Sequence, residues 1–315
     1  MKAIVNTRYG STDVLQLKEI PKPTPKANEV LIKIRATTVN RTDTGLRSAE
    51  YFISRLFIGL FKPKMNILGS EFAGEIEAVG KEVTLFKTGD CVFGLSTEKF
   101  GAHAEYICLP QEGSIALKPS NFSFEEAAAI CEGPYLALNY LEKINIQKGD
   151  RVLVNGASGS IGSSGVQLAT YFGAEVTAVT NTKNLKLAQS LGADTVIDYT
   201  KEDFTKINKK FDVVFDAVGK SSYFKCKKLM NENAVYFSTE LGFMYQNVFL
   251  PLFTKKVLFP IPKDNKEQLV LFKKLAESGQ LKAVIDRRYS LEQIVEAHKY
   301  VESGQKTGSV VVVIS

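Results

Sequence analysis

The stretch Val152-Leu153-Val154-Asn155-Gly156-Ala157-Ser158-Gly159-Ser160-Ile161-Gly162 constrains this chain more than any other. A short apolar run suited to a buried strand enters a glycine-rich turn, and a helix follows from about Ser160 to Phe172. A turn of this kind aims backbone N–H groups at the helix N-terminus toward an anion. Side chains at Gly159 and Gly162 would block the approach of a pyrophosphate or the packing of helix on strand. The first glycine of the usual G-x-G-x-x-G is Ala157 here, so the cradle reads Ala157, Ser158, Gly159, Ser160, Ile161, Gly162.

The surroundings of the motif decide its meaning. From Ser123, a cap with Glu126 at the capping-box position, the chain alternates helix and strand. Strands are expected at Arg151–Asn155, Glu175–Thr180, Thr195–Tyr199, Phe211–Asp216 and Ala234–Ser238. Between them fall helices at Thr182–Leu191, Lys201–Asn208 and Ser221–Met230. Short Val-rich strands separated by helices are the pattern of a doubly wound parallel sheet in the α/β class. Residues 1–120 instead alternate apolar and polar, as in Glu29–Ala36 and Phe72–Val79, and predict an antiparallel, partly rolled sheet. Pro21, Pro23 and Pro25 form a short extended connector. Beyond 262 come helices at Lys266–Ser278 and Leu291–Ser303 and the β-prone ending Val310–Ile314, which needs a sheet to join. The expected organisation is a mostly β domain made of 1–120 and 263–315, with the α/β domain 121–262 inserted.

Composition narrows the function classes. A chain of 315 residues suits two domains at ~150 residues each. A hydrophobic share of 44% with 23% charge argues against a largely disordered chain. The net charge of +6 is spread along the sequence, so no nucleic-acid partner is expected. The first residues lack the apolar core of a signal peptide and no run approaches the ~18 apolar residues of a membrane span, which predicts a cytoplasmic protein. Cys91, Cys108, Cys131 and Cys226 are far apart, with only His103 and His298 to help, which leaves a zinc cluster without support.

At the end of the second strand an NAD site places an acid on the ribose, ~20 residues after the glycines. This chain has Thr180-Asn181-Thr182-Lys183 there. Two hydroxyls, the Asn181 amide and the Lys183 ammonium match a 2′-phosphate, so NADPH is the expected cofactor. Lys183 and Lys186 also suit a solvated helix face. Tyr199 is placed either to pack on the adenosine end or to cap its strand. Ala217, Val218 and Gly219, with Phe237 and Ser238, end the fourth and fifth strands, where the nicotinamide ribose is expected to pass.

Further segments carry a resemblance. They are Val39-Asn40-Arg41-Thr42-Asp43, Gly69-Ser70-Glu71-Phe72-Ala73-Gly74, Phe86–Gly94, Gly101-Ala102-His103-Ala104-Glu105-Tyr106, Asn155–Gly162, Phe211–Gly219 and Val284–His298. In these, and in this order over nearly its whole length, the chain resembles the zinc-free quinone oxidoreductases (zeta-crystallin-like) of the medium-chain dehydrogenase/reductase superfamily. The resemblance implies a Rossmann sheet inserted in a GroES-like catalytic domain. It departs from the zinc-dependent branch where that branch has a ligand Cys and this chain has Asn40, and where it has a ligand His and this chain has Ser70; the four-cysteine structural lobe is missing too. It implies metal-free hydride transfer to a quinone or an α,β-unsaturated carbonyl, whose conjugation moves the incoming charge onto oxygen. Asn40 and Tyr51 are the implied catalytic residues, Asn40 binding the substrate or nicotinamide ribose region and Tyr51 lining the pocket. Asn40 also suits a turn cap. Relatives carry a tyrosine where this chain has Gly45 and a threonine where it has Leu136.

Tyr51–Phe61, followed by Lys62-Pro63-Lys64, is unusually apolar. Packing on the sheet, a lid suited to a hydrophobic acceptor, and contact with a membrane surface without stable insertion are its three readings. Lys255–Pro260 resembles the edge strand through which the family pairs across a two-fold axis, so a homodimer is expected. Two rival functions remain: a protein that binds NADPH for sensing, with or without RNA, and a zinc-type alcohol dehydrogenase, disfavoured by its missing ligands.

Overall fold

A computed structural model describes residues 1–50, 55–240, 245–259 and 266–315. Along the chain run β1 (Lys2–Val5), β2 (Gln16–Glu19), β3 (Glu29–Val39), α1 (Arg41–Ser48), α2 (Arg55–Ile58), β4 (Glu71–Val79), β5 (Cys91–Leu95), β6 (Tyr106–Pro110) and β7 (Ile115–Leu117). Next come α3 (Phe124–Ala129), α4 (Glu132–Lys143), β8 (Arg151–Asn155), α5 (Ser160–Tyr171), β9 (Glu175–Thr180), α6 (Leu185–Ser190), β10 (Thr195–Asp198) and β11 (Phe211–Asp216). The remainder is α7 (Tyr223–Cys226), β12 (Met230–Ser238), α8 (Gln246–Phe249), β13 (Val257–Leu258), α9 (Lys266–Glu277), β14 (Ile285–Ser290), α10 (Ile294–Glu302) and β15 (Ser309–Val313).

The chain divides into two compact units, the first made of Met1–Glu132, Asp264–Gly279 and Ala283–Ser315 and the second of Gly133–Lys263 with Gln280–Lys282. In the first unit a seven-stranded sheet has the order β14-β15-β3-β4-β5-β7, with β6 also on β3. All its pairings are antiparallel except β14 with β15. The β-prone ending does join this sheet: β15 lies against β3 with Val310 opposite Val39 and Val312 opposite Thr37. The strand is covered on both faces, with Val311 buried as fully as its neighbours. Val310 and Val312 are buried in the core with Ile32, Ile34, Phe72 and Ile76.

The second unit is a six-stranded, all-parallel sheet of order β10-β9-β8-β11-β12-β13. The strands are Val-rich and nearly all inward, as a sheet covered on both faces requires. Chain order reverses between β8 and β11, and ligands of such sheets bind outside the carboxyl ends of the strands at that point. Behind it Tyr140, Phe215 and Phe237 form an aromatic stack, with Tyr140 and Phe237 centroids 4.8 Å apart.

Two expected helices are smaller than the sequence pattern implied. Lys201–Asn208 holds only a 3₁₀ turn at Phe204–Lys206, because Asp203 bonds the Thr205 N–H. Ser221–Met230 shrinks to α7 and a 3₁₀ turn before β12, which starts already at Met230.

Candidate functional site

In the second unit, the turn from β8 to α5 is built as its sequence requires. Gly156 has φ +80°, and a Cβ there would meet Val218 Cγ1 at 2.4 Å, so both backbone and space demand glycine. A Cβ on Gly162 would meet the Gly156 carbonyl oxygen at 2.1 Å, which fixes how closely α5 packs on the turn. Gly159, the N-cap of α5, offers no side-chain cap, and a Cβ there would have its nearest neighbour at 3.6 Å. The open side of the turn thus faces the N-terminus of a twelve-residue helix, and this arrangement fits a pyrophosphate. Ala157 is buried, while Ser158, Gly159, Ser160 and Ile161 are half-buried around it.

Neighbouring strand ends are braced by Asn155 and Asp216, whose side chains meet at 2.9 Å. Asp216 also accepts from the Ser221 N–H and from the Tyr236 hydroxyl. Ala217 is buried, Val218 is partly exposed, and Gly219 has φ +64°. Phe237 and Ser238 end β12, but both are fully buried. The Phe237 ring belongs to the aromatic stack and the Ser238 carbonyl accepts from the Tyr140 hydroxyl, so only their backbones are near a strand end.

At the end of β9, Thr180 is buried with no partner for its hydroxyl, Asn181 is half-buried, and Lys183 is exposed. The sequence reading found no acid here because it looked along β9 alone. The adjacent strand supplies one: Asp198, paired in register with Thr180, accepts from Thr182 Oγ1 at 2.6 Å and from Thr200 Oγ1 at 2.7 Å. The Thr182 hydroxyl, then the Thr200 bonds, hold its carboxyl below the usual range. Tyr199, next along, is half exposed.

The other expected site residues lie in the first unit. Asn40 is the N-cap of α1, with its Oδ1 accepting from the Asp43 N–H at 2.9 Å, and its Nδ2 donates to Ser70 Oγ at 3.0 Å. Asp43 closes a capping box by accepting from the Asn40 N–H, and it also holds the Gly69 N–H at 2.9 Å. His103 Nε2 lies 2.8 Å from the Thr38 carbonyl. Tyr51, with Phe52, Ile53 and Ser54, falls outside the described residues. Of the apolar segment after it, Leu56 and Phe61 are exposed, and a cavity of about 570 Å³ opens among Thr7, Leu60–Lys64 and Asn66.

Zinc does not fit Asn40 and Ser70. An amide and a hydroxyl bonded to each other are not the thiolate and imidazole that zinc takes, and no group of His, Cys, Asp or Glu able to hold a metal ion exists among the described residues.

Sequence reasoning missed the carboxyl groups beside Asn40. Glu71, buried at the start of β4, accepts from the Thr38 hydroxyl and, at 2.6 Å, from the Glu132 N–H. Burial pushes its carboxyl up to about 7 against those hydrogen bonds. Glu132, the first residue of α4, is also pushed up, by desolvation and then by Glu71 and Asp43, although its surface remains partly accessible. Lys306 lies close enough to both for their charges to raise its pKa, yet burial wins and lowers it. An acid in the apolar run Glu71-Phe72-Ala73-Gly74 and another after Ala127-Ala128-Ala129-Ile130-Cys131 were the available signals.

The comparisons with known proteins agree over the whole chain. Residues 26–119 match the alcohol dehydrogenase GroES-like domain, and residues 191–312 match the zinc-binding dehydrogenase family. A 2-methylene-furan-3-one reductase of Solanum lycopersicum is 38% identical over 99% of this chain and 79% of its own. An NADPH-dependent alkenal/one oxidoreductase of Arabidopsis thaliana is 32% identical over the same shares. Among solved structures, the quinone oxidoreductase from Coxiella burnetii superposes with a TM-score of 0.90 at 28% identity, covering 100% of this chain and 99% of that one.

Proposed function

The chain belongs to the medium-chain dehydrogenase/reductase family of nicotinamide-dependent oxidoreductases, and from that we propose that it is an NADPH-dependent reductase of α,β-unsaturated carbonyls or quinones. The observation that carries the reading is the β8–α5 turn, with room at Gly159 before an uncapped helix N-terminus, in a chain whose Asn40–Ser70 pair leaves no metal to activate an alcohol. Ala157 to Gly162 hold the pyrophosphate, and Ala217–Gly219 approach the nicotinamide ribose. Bound there, the reduced nicotinamide supplies the hydride.

Lys183 and Asn181 favour the 2′-phosphate of NADPH. Asp198 stays ionised, but Thr182 and Thr200 occupy its oxygens and Lys201 Nζ faces them at 3.8 Å, which offsets part of its charge. The Arabidopsis relative is named for the same cofactor and for alkenals and enones. Asn40 spends its side chain inside the protein and shapes the acceptor end of the first unit, and Tyr51 is assigned to the acceptor by the family resemblance alone. The two-stranded contact β12–β13 leaves β13 as a sheet edge, with Leu252 and Phe253 exposed just before it, and this edge supports a homodimer.

The test follows nicotinamide absorbance with NADPH or NADH against a 2-alkenal, 1,4-benzoquinone and an alcohol with oxidised cofactor. NADPH loss with an enone or quinone, and none with the alcohol, is expected. In Lys183→Glu the affinity for NADPH falls by about tenfold, ~1.4 kcal/mol, while that for NADH holds. NADPH binding without turnover on any acceptor would favour a sensing protein instead.

A further inference from the structure

We propose that the segment 56–64 of the first unit docks the protein on the surface of an anionic lipid bilayer, its apolar tip entering the interface and its lysines meeting the headgroups. Docking is independent of the reductase reading and is measured without cofactor or acceptor, so either can fail alone.

The segment comprises the end of α2 and a turn that holds its tip outward. Gly59 has φ +120°, and a Cβ there would meet the Lys62 carbonyl oxygen at 2.1 Å, so the turn requires glycine. The Lys64 N–H donates to the Ile58 carbonyl at 2.8 Å, and the Gly59 carbonyl accepts from the Tyr9 hydroxyl at 2.7 Å. Ile58 and Pro63 are buried at the base of this closed turn. The residues between and before them point the other way: Phe61 is 89% exposed, Leu56 64% and Leu60 45%. The turn thus fixes two adjacent apolar side chains in water, and neighbouring exposed apolar groups of this kind mark a surface for association.

Charge selects the partner. Lys62 and Lys64 adjoin the tip and are both exposed, and the sequence holds no acid between Glu50 and Glu71. Glu50 is itself engaged by Arg41 at 2.8 Å. Thr7 and Asn66, which line the cavity of about 570 Å³ beside the tip, are uncharged. An anionic bilayer supplies hydrocarbon for Leu56, Leu60 and Phe61 and phosphates for the lysines, whose stems lie along apolar surface while their heads reach the headgroups. A second copy of the chain is the poorer occupant, because across a two-fold axis the same lysines would face one another. With three apolar side chains and two lysines, the attachment is shallow and reversible and weakens with salt.

Binding is measured by sedimentation with vesicles of phosphatidylcholine alone and of phosphatidylcholine with about one quarter phosphatidylserine. Wild type binds the anionic vesicles about tenfold more tightly than the neutral ones, and the difference shrinks as salt rises. Leu60→Ser with Phe61→Ser loses about tenfold in affinity for the anionic vesicles. Lys62→Glu with Lys64→Glu abolishes the preference for phosphatidylserine. Phe224→Ser, which removes an exposed aromatic from α7 instead, binds as wild type does. The chain contains no tryptophan, so Phe61→Trp reports on the tip alone. Its emission shifts to the blue on anionic vesicles and is quenched by bromine carried on the acyl chains. Equal binding to neutral vesicles, wild-type affinity in the serine pair, an equal loss in Phe224→Ser or an unshifted Phe61→Trp emission overturns the proposal. A blue shift that grows with protein concentration in the absence of vesicles assigns the tip to a second copy and overturns it as well.

Discussion

His298 shows how a single buried ring ties stability to pH. It is fully buried on α10, neither ring nitrogen has a partner, and the His103 ring stands edge-on at 5.8 Å. Burial first, and then the charges of His103 and Arg47, lower its pKa well below 6.5. The unfolded chain therefore takes up a proton below pH 6.5 that the folded one refuses. Its contribution is complete above that pH and is lost as pH falls, at up to about 1.4 kcal/mol per unit. Glu71 acts in the opposite direction: its folded pKa of about 7 exceeds 4.5, so its contribution is present below 4.5 and is lost as pH rises through 7. His298→Leu should accordingly gain more stability over wild type at about pH 5 than at about pH 8 in thermal unfolding. Parallel stability curves for the two proteins would show that the ring is not the group responsible.

At the scale of elements, burial on both faces makes a strand easy to read and solvent makes a short helix hard. Val310 and Val312 of β15 are fully buried between β14 and β3. Val312→Ala should cost about 2–3 kcal/mol in denaturant unfolding, with no change in the affinity of the second unit for NADPH. A loss below about 0.5 kcal/mol would mean that the neighbours collapse into the space. The strands of the second unit stood out because their Val-rich runs are bounded by turn residues, and α3 because Ser123 and Glu126 form the capping box that their spacing announced. Lys201–Asn208 misled because Phe204 and Ile207 have helical spacing, while Asp203 bonds a local N–H and stops the helix. The β8–α5 turn was legible because glycine spacing along one chain records it. Asp198 beside Thr182, and Glu132 beside Thr42, were not, since strand order and a return of the chain bring them together.

For the whole molecule, the proposed homodimer rests on what the second unit leaves uncovered. Leu252 and Phe253 are 76% and 84% exposed shortly before the edge strand β13, an apolar pair beside an open sheet edge. Sedimentation should give twice the chain mass of 34.8 kDa, and Phe253→Asp with Leu252→Asp should halve it. A wild-type particle of single mass would end the homodimer reading. The discontinuous first unit has a different consequence, which concerns time. Residues up to Glu132 leave the ribosome without β15, which completes their sheet against β3. At the usual pace of synthesis, the interval from Glu132 to Ser309 is roughly 10–35 s. For that long the newborn chain presents β3 with an unsatisfied edge along Ala36–Val39, while the stretch that forms the inserted sheet emerges behind it. Chaperone demand during translation should therefore fall on the first two-fifths or so of this protein.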